Sequence, residues 1–240
     1  MKWGNFSFVH ILSLILAILF NIAIYFLIRK KSKLTQLFVL TMLSFLGILA
    51  IIFNLIMWKS PLEYLPLHLC SLNALILPFC IIKQNDKLFN LLILWSLGAF
   101  IALIVNNSVS EANIFSLTFF FYYFPHVFEC GIPLIMLKLK LVQLKRKYLF
   151  STLFITFISY TIIHFINVLI NSYCIKYNIV DNLGNIIKVN YMFSIYPDNP
   201  LLNLFYKIIP YSYFYMLLAF PIIAVYLLLI YFIVNRKKML

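Results

Sequence analysis

Residues 6–33 read FSFVHILSLILAILFNIAIYFLIRKKSK, an unbroken apolar run that ends in a basic cluster. The run from Phe6 to Ile28 is longer than the roughly 20 residues that an α-helix needs to cross the hydrocarbon core of a bilayer. A secretory signal has a shorter apolar region and a small-residue cleavage site, which this segment lacks. We therefore interpret residues 6–28 as a true membrane span with a basic end.

The composition extends this interpretation to the whole chain. Of the 240 residues, 65% are hydrophobic and 10% are charged, which is too little polar surface to cover a soluble globule. We predict an all-α, polytopic helical membrane protein with a single domain over residues 1–240. The seven predicted spans are 6–28, 37–57, 65–82, 88–105, 115–137, 149–170 and 210–234. Two of them, 65–82 and 88–105, are short, and Pro66 and Pro78 allow a broken or re-entrant element in the first.

The basic residues predict the orientation of the chain. If all seven segments cross, 14 of the 19 Lys and Arg lie on one side of the membrane. Because cytoplasmic loops retain Lys and Arg, the N-terminus is expected outside and the C-terminus in the cytoplasm of a multi-pass cell-membrane protein. The 14 are Arg29, Lys30, Lys31, Lys33, Lys83, Lys87, Lys138, Lys140, Lys145, Arg146, Lys147, Arg236, Lys237 and Lys238; the other five are Lys2, Lys59, Lys176, Lys188 and Lys207. The net charge of +13 therefore indicates topology, not a nucleic-acid partner.

The longest loop is predicted on the outer side, over residues 171–209. Two β-branched runs flank Asp181, Asn182 and Gly184, a pattern typical of a hairpin. Pro197 and Pro200 then predict the end of regular structure and the start of a segment that lies on the surface.

Ionisable residues inside predicted spans are costly in lipid, so they are candidates for function. These residues are His10, His68, Cys70, His126, Glu129, Cys130 and His164. His126, Glu129 and Cys130 are three and four positions apart, which puts them on one face of a helix. His68 and Cys70 are two positions apart, so they point away from each other unless the helix is broken near Pro66.

A nucleophilic Cys70 would need a base, and His126 or His164 can serve as one. Glu129 can orient an imidazole or accept a proton, or it can be protonated and bonded to a backbone carbonyl. A lone cysteine in a span is usually a small packing residue, and we interpret Cys80, Cys130 and Cys174 in that way. A lone histidine is about as often a hydrogen-bond partner between helices, which leaves the role of His10 open.

Neither a cofactor nor a metal is expected. The four cysteines show no CxxC pattern, and the chain has no Walker A or HExxH motif. The abundance of Phe, Tyr, Ile, Asn and Lys matches an AT-rich genome, so we give aromatic and asparagine counts little functional weight. The sequence predicts no particular oligomeric state.

Three motifs carry a resemblance to a known family. Residues 65–72 read LPLHLCSL, residues 119–126 read FFFYYFPH, and residues 190–193 read NYMF, with Pro197 and Leu201-Leu202 after them. In this order and spacing they resemble the YwaF-like integral membrane family, which includes transmembrane protein 164 of animals. The chain departs from the family pattern at Val127, at Asn203 and over residues 209–213.

The resemblance implies a function as well as a fold. The animal relative is regarded as an acyltransferase that moves polyunsaturated acyl chains onto ether lysophospholipids. By resemblance, this chain would be a cysteine-dependent phospholipid acyltransferase that acts on membrane phospholipid. Cys70 would be the nucleophile and His126 the general base, with support from His68 or Glu129.

Two other functions fit the same residues. In the predicted topology none of the four histidines lies clearly in the inner half of its span. A carrier or permease subunit for a small solute would use these histidines and Glu129 to line a substrate or proton path. A structural or assembly protein of the membrane would use every polar span residue as a packing contact.

Overall fold

The structure is a computed structural model that describes residues 1–58, 60–105, 109–181 and 183–236. Lys59, Asn182, Lys237 and Lys238, which entered the predictions above, lie outside the described residues. Over the described ranges the α-helices are α1 (Phe8–Ile28), α2 (Lys33–Met57), α3 (Leu69–Lys83), α4 (Asp86–Ile104), α5 (Leu117–Lys138), α6 (Leu149–Tyr177), α7 (Pro200–Ile208) and α8 (Ala219–Arg236). Short 3-10 helices lie at Arg146–Tyr148, Tyr191–Phe193 and Phe214–Leu218.

Six helical segments in the described part of the chain are long and apolar enough to cross a membrane. They are α1, α2, α4, α5, the segment Arg146–Tyr177 that contains α6, and the segment Phe214–Val234 that contains most of α8. The protein is therefore a multi-pass helical membrane protein, as predicted. The seventh predicted span, 65–82, corresponds to the shorter apolar helix α3. Its 15 residues cover about 22 Å, less than the hydrocarbon thickness of about 30 Å.

The chain divides into two compact units. Unit 1 comprises Met1–Asn54 and Leu69–Leu144, and unit 2 comprises Leu55–His68 and Lys145–Leu240. Unit 1 therefore holds α1, most of α2, and α3 to α5, whereas unit 2 holds α6 to α8 and the long loop between α6 and α7.

Within unit 1, α1 and α5 run parallel. Near their starts, the Trp3 backbone N–H donates to the Ala112 carbonyl at 3.0 Å, and Lys2 forms an ion pair with Glu111. At their other ends, residues that follow α1 and residues at the end of α5 line the same cavity. The two helices thus begin on one side of unit 1 and end on the other.

The parallel arrangement of α1 and α5 determines whether the segment that contains α3 crosses the membrane. Between the end of α1 and the start of α5 the chain must cross the membrane an odd number of times. The helices α2 and α4 both have spanning length, so a third crossing falls to the segment that contains α3. We therefore expect the short helix α3, which follows a series of turns over residues 60–67, to supply the third crossing.

In unit 2, α6 continues to Tyr177, seven residues beyond the predicted end of its span. The predicted hairpin is present as one antiparallel bridge between Val180 and Ile186. Hydrogen bonds from the backbone N–H groups of Asn185 and Leu183 lower the pKa of the Asp181 carboxyl inside the turn.

The surface segment predicted after Pro197 contains a short helix. Asn199 is its N-cap and accepts from the Leu202 backbone N–H at 3.0 Å, with Pro200 in the first turn. Leu202 and Phe205 are buried against Tyr215, so one face of α7 packs and the other remains exposed.

Candidate functional site

Cys70 is the second residue of α3, which begins at Leu69. The chain before the helix turns at Pro66, where the Leu67 backbone N–H donates to the Leu65 carbonyl at 2.7 Å. His68 therefore lies outside the helix, and the break that the sequence allowed near Pro66 is present. Cys70 is a free, half-buried thiol in the first turn of a membrane helix.

Glu129 of α5 lies close to this thiol. Its carboxyl lies within electrostatic range of the thiols of both Cys70 and Cys130. The side chain is 4% exposed, so it is held inside unit 1 and away from lipid and water. The structure thus brings together one predicted nucleophile and one predicted proton acceptor.

Asn73 lies one turn after Cys70 on the same face of α3 and is fully buried. Its amide lies near the Glu129 carboxyl. Even so, neither Asn73 Nδ2 nor Asn73 Oδ1 nor Glu129 Oε2 completes a hydrogen bond of normal geometry with any described residue. Buried polar atoms are nearly always paired in folded proteins, so this cluster is suited to a polar ligand.

The backbone of α2 closes one side of the cluster. A Cβ added at Gly47 would lie 2.7 Å from the Ala74 Cβ and 3.6 Å from Glu129 Oε1. Only a residue without a side chain permits α2 to approach α3 so closely. Gly47 therefore helps to form the wall of the site around Glu129.

His126 lies on α5, three residues before Glu129, and is half-buried. Its Nδ1 lies 2.6 Å from the Tyr122 carbonyl oxygen, which can only accept, so Nδ1 carries the proton. In the neutral ring the lone pair is then on Nε2, which makes no hydrogen bond within the described part of the chain. No hydrogen bond joins His126 to Cys70 or Glu129 among the described residues.

The remaining histidines, His10, His68 and His164, make contacts that do not involve Cys70 or Glu129. His10 is fully buried in unit 1, where Nδ1 accepts from the Phe6 backbone N–H at 2.9 Å and Nε2 donates to the Leu103 carbonyl at 2.8 Å. Both ring nitrogens are used in backbone contacts. His10 therefore joins the start of α1 to the end of α4, and we assign it a structural role.

His68 and His164 belong to unit 2. The His68 ring packs edge-on against Tyr191 at 5.3 Å, and His164 Nδ1 lies 3.1 Å from Ser194 Oγ. The Tyr191 hydroxyl donates to the Leu62 carbonyl, and burial raises its pKa to about 12, so it remains a donor. These contacts stabilise the segment that precedes α3 and the loop after α6.

Asn73 is the residue that sequence reasoning missed. Its spacing of three from Cys70 places the two on one helix face, which was the available signal. Asparagine is abundant throughout this chain, however, and we had therefore given it little weight. Among the described residues, no three His, Cys, Asp or Glu side chains come together in a way that could hold a metal ion.

Comparison with known proteins gives one match. The sequence model of the TMEM164 family matches residues 5–231 of the 240. No curated protein and no solved structure matches the chain.

Proposed function

Because the chain belongs to the TMEM164 family, we propose that it transfers acyl groups between phospholipids of the cell membrane, with Cys70 as the residue that carries the acyl chain. The observation that supports this proposal most directly is the proximity of the Cys70 thiol to the Glu129 carboxyl inside unit 1. A sulfur nucleophile and a nearby proton acceptor are the minimum that covalent acyl transfer requires.

The start of α3 offsets part of the cost of placing negative charge on the half-buried Cys70 sulfur. The first turn of a helix has unpaired backbone N–H groups and the positive end of the helix dipole. An ionised Glu129 beside a thiolate would place two negative charges together in a site of low dielectric constant. Transfer of the thiol proton to Glu129 leaves only one negative charge on the pair, which makes Glu129 a suitable base.

His126 is the second candidate base. Its free Nε2 lone pair can accept a proton, and its ring lies on the same face of α5 as Glu129. Glu129 could then hold the imidazolium in position. The two alternatives predict different variants to be inactive.

The proposed reaction has two halves. The Cys70 sulfur attacks the carbonyl carbon of a phospholipid ester while the base takes the thiol proton; the ester C–O bond breaks, a thioester forms, and the leaving lysophospholipid oxygen takes that proton. The hydroxyl of a second lysophospholipid then attacks the thioester and gives its proton to the base. The new ester forms, the C–S bond breaks, and the proton returns to sulfur. The expected orientation puts the start of α3 toward the outer leaflet, where phospholipid and not acyl-CoA is the available donor.

The test uses the full-length protein in liposomes that contain a phospholipid with a deuterated acyl chain and an unlabelled lysophospholipid. Mass spectrometry measures the labelled acyl chain on the acceptor. The wild type is expected to transfer it, and Cys70→Ser to fall to the rate of empty liposomes. Cys80→Ala, on the same helix, is the matched control and is expected to retain activity.

Acid-quenched protein is analysed for a hydroxylamine-sensitive acyl group on Cys70. Substitution of the true base is expected to lower transfer about a hundredfold or more. A loss in Glu129→Gln with activity retained in His126→Ala identifies Glu129 as the base, and the reverse identifies His126. Full transfer by Cys70→Ser would overturn the proposal.

A carrier for a small solute is the second candidate, because a buried acid with an unpaired oxygen inside a helical bundle is also typical of proton pathways. On that hypothesis Glu129→Gln alters proton movement into liposomes, as followed by an internal pH dye, and Cys70→Ala does not. Proton movement that is unaffected by Glu129→Gln would exclude it.

A further inference from the structure

A basic cavity lies in unit 1 where α1 and α5 end. Its volume is about 370 Å³, and four of its lining side chains are cations. The lining consists of Tyr25, Arg29, Lys30, Gln36, Lys138, Leu139 and Lys140. No acidic side chain is part of this lining. A concentration of positive charge in a concave surface is suited to an anion.

The end of a helix normally disfavours anions, because its last carbonyl groups carry partial negative charge. At the end of α1 the Tyr25 carbonyl accepts from the Arg29 backbone N–H, and the Ile28 carbonyl accepts from the Lys31 backbone N–H, both at 2.9 Å. Gln36 Nε2 lies 3.2 Å from the Ile28 and Lys31 carbonyl oxygens and 3.4 Å from that of Arg29. The Gln36 amide thus offsets part of the carbonyl charge beside the cavity, whose lining carries four cations.

At the end of α5, too, backbone carbonyl groups are paired. The Lys140 backbone N–H donates to the Leu137 carbonyl at 3.1 Å, and that of Leu141 donates to the Met136 carbonyl at 3.0 Å. Lys140 has a left-handed conformation, with φ 58°, as is common where a helix ends. This turn places both Lys138 and Lys140 on the cavity wall.

The cavity is at the level of lipid headgroups, because α1 and α5 both have spanning length and both end there. Tyr25 lies at the same end of α1, and the Arg29 guanidinium stands 4.4 Å from the centre of the Phe26 ring. Aromatic and basic residues together are typical of a membrane interface. The anion that most readily reaches this position is therefore the phosphate of a lipid, not a free ion.

We propose that this cavity binds the headgroup phosphate of an anionic phospholipid in the cytoplasmic leaflet. Basic pockets between membrane helices on this side commonly hold such headgroups. Arg29 supplies a planar fork of donors, and the three lysines supply point charges around it. The site lies at the ends of α1 and α5, opposite to the end where α3 begins, and does not depend on the proposed acyl transfer.

The test measures lipid bound to the detergent-solubilised, full-length protein by native mass spectrometry. Phosphatidylglycerol and phosphatidylcholine with identical acyl chains are added separately. The wild type is expected to retain phosphatidylglycerol preferentially. In the double variant Lys138→Gln with Lys140→Gln, its affinity is expected to fall about fivefold for each cation removed.

The control is Lys83→Gln with Lys87→Gln, which removes two charges from the same side of unit 1 outside the cavity. It is expected to change phosphatidylglycerol binding less than twofold, within the range of surface effects. Lys138→Arg with Lys140→Arg, which keeps the charge, is expected to bind as the wild type does. Thermal unfolding of each variant shows whether it is folded.

Two results would overturn the proposal. Equal losses in the cavity variant and the control would mean that the lipid responds to general surface charge. If inorganic phosphate alone raises the unfolding temperature as much as phosphatidylglycerol does and displaces the lipid, the site is one for a free anion.

Discussion

Asn73 and Asn167 are both fully buried in membrane helices, but their amides are in opposite situations. In Asn167, Nδ2 donates to the Tyr191 carbonyl at 2.8 Å and Oδ1 accepts from the Tyr191 backbone N–H at 3.1 Å. In Asn73, neither amide atom has a hydrogen-bond partner among the described residues. The burial of Asn167 is explained by the hydrogen bonds with which it stabilises the fold. The burial of Asn73, which lies beside Glu129, has no such explanation.

This contrast predicts opposite effects of the same substitution. Asn73→Leu removes unpaired polar atoms and is expected to leave the free energy of unfolding unchanged or to raise it. Asn167→Leu removes the acceptor of the Tyr191 backbone N–H and the shorter of the two hydrogen bonds to the Tyr191 carbonyl, and is expected to lower the free energy of unfolding by about 1–3 kcal/mol. Thermal unfolding of the purified proteins in detergent measures both. A clear loss in Asn73→Leu would mean that the amide is a packing contact after all.

His10 is predicted to act through structure alone. In His10→Ala the buried Leu103 carbonyl loses its donor, which is expected to lower the free energy of unfolding by about 1–3 kcal/mol. The acylation of Cys70, measured by the hydroxylamine-sensitive label, is expected to persist in folded protein. A stable His10→Ala protein with no thioester would instead place His10 in the reaction.

At the scale of elements, α1 and α5 pack together through one small residue and one polar residue. An ideal Cβ on Gly131 would lie 1.7 Å from Asn21 Oδ1. Asn21 cannot simply rotate away, because its Nδ2 donates to the Ala17 carbonyl at 2.9 Å and to the Val127 carbonyl at 3.2 Å. The hydrogen bond from Asn21 to the backbone of α5 therefore requires a glycine one turn later.

Gly131→Ala is expected to lower the free energy of unfolding by about 1–3 kcal/mol through overpacking. Asn21→Ala removes the clashing group, so the double variant is expected to be no less stable than Asn21→Ala alone. Gly98→Ala is the control: its Cβ would meet Leu69 Cδ2 at 3.4 Å, an ordinary contact, and no loss is expected. Additive losses in the double variant would show that the two residues do not interact.

At the scale of the whole molecule, the number of crossings determines which loops share a side of the membrane. Seven crossings place the hairpin near Leu183 outside and the segment between α5 and α6 in the cytoplasm. If α3 did not cross, all segments after it would exchange sides. The number of crossings can therefore be tested in cells by measuring which side of the membrane single positions are accessible from.

Leu183→Cys is expected to react with a membrane-impermeant maleimide on intact cells, because Leu183 is exposed at the hairpin tip. Lys145→Cys is expected to react only after the membrane is permeabilised. The unaltered protein, with its four buried or half-buried cysteines, measures the background. Labelling of Lys145→Cys on intact cells would contradict the seven-span topology.

Much of the fold could be predicted from the sequence, because insertion into a bilayer depends on local composition. The lengths of the apolar runs indicated the spans, whereas the orientation inferred from the placement of Lys and Arg remains a prediction. For α3 the sequence left a break near Pro66 open, and in the structure the helix begins after this proline, at Leu69. The roles of Cys70, His126, His68 and Glu129 remain predictions, since they came from residue type, spacing and resemblance.

What only the tertiary structure decided is which polar side chains meet. The sequence by itself determined that this chain is a multi-pass protein of apolar helices with clusters of basic residues between them, because those properties follow from residues adjacent along one segment. Whether a buried histidine or asparagine is paired depends on groups contributed by other helices, and helical spacing constrains only one side of each contact. For this reason His10 proved to be satisfied by the backbone and Asn73 proved to be unpaired beside Glu129.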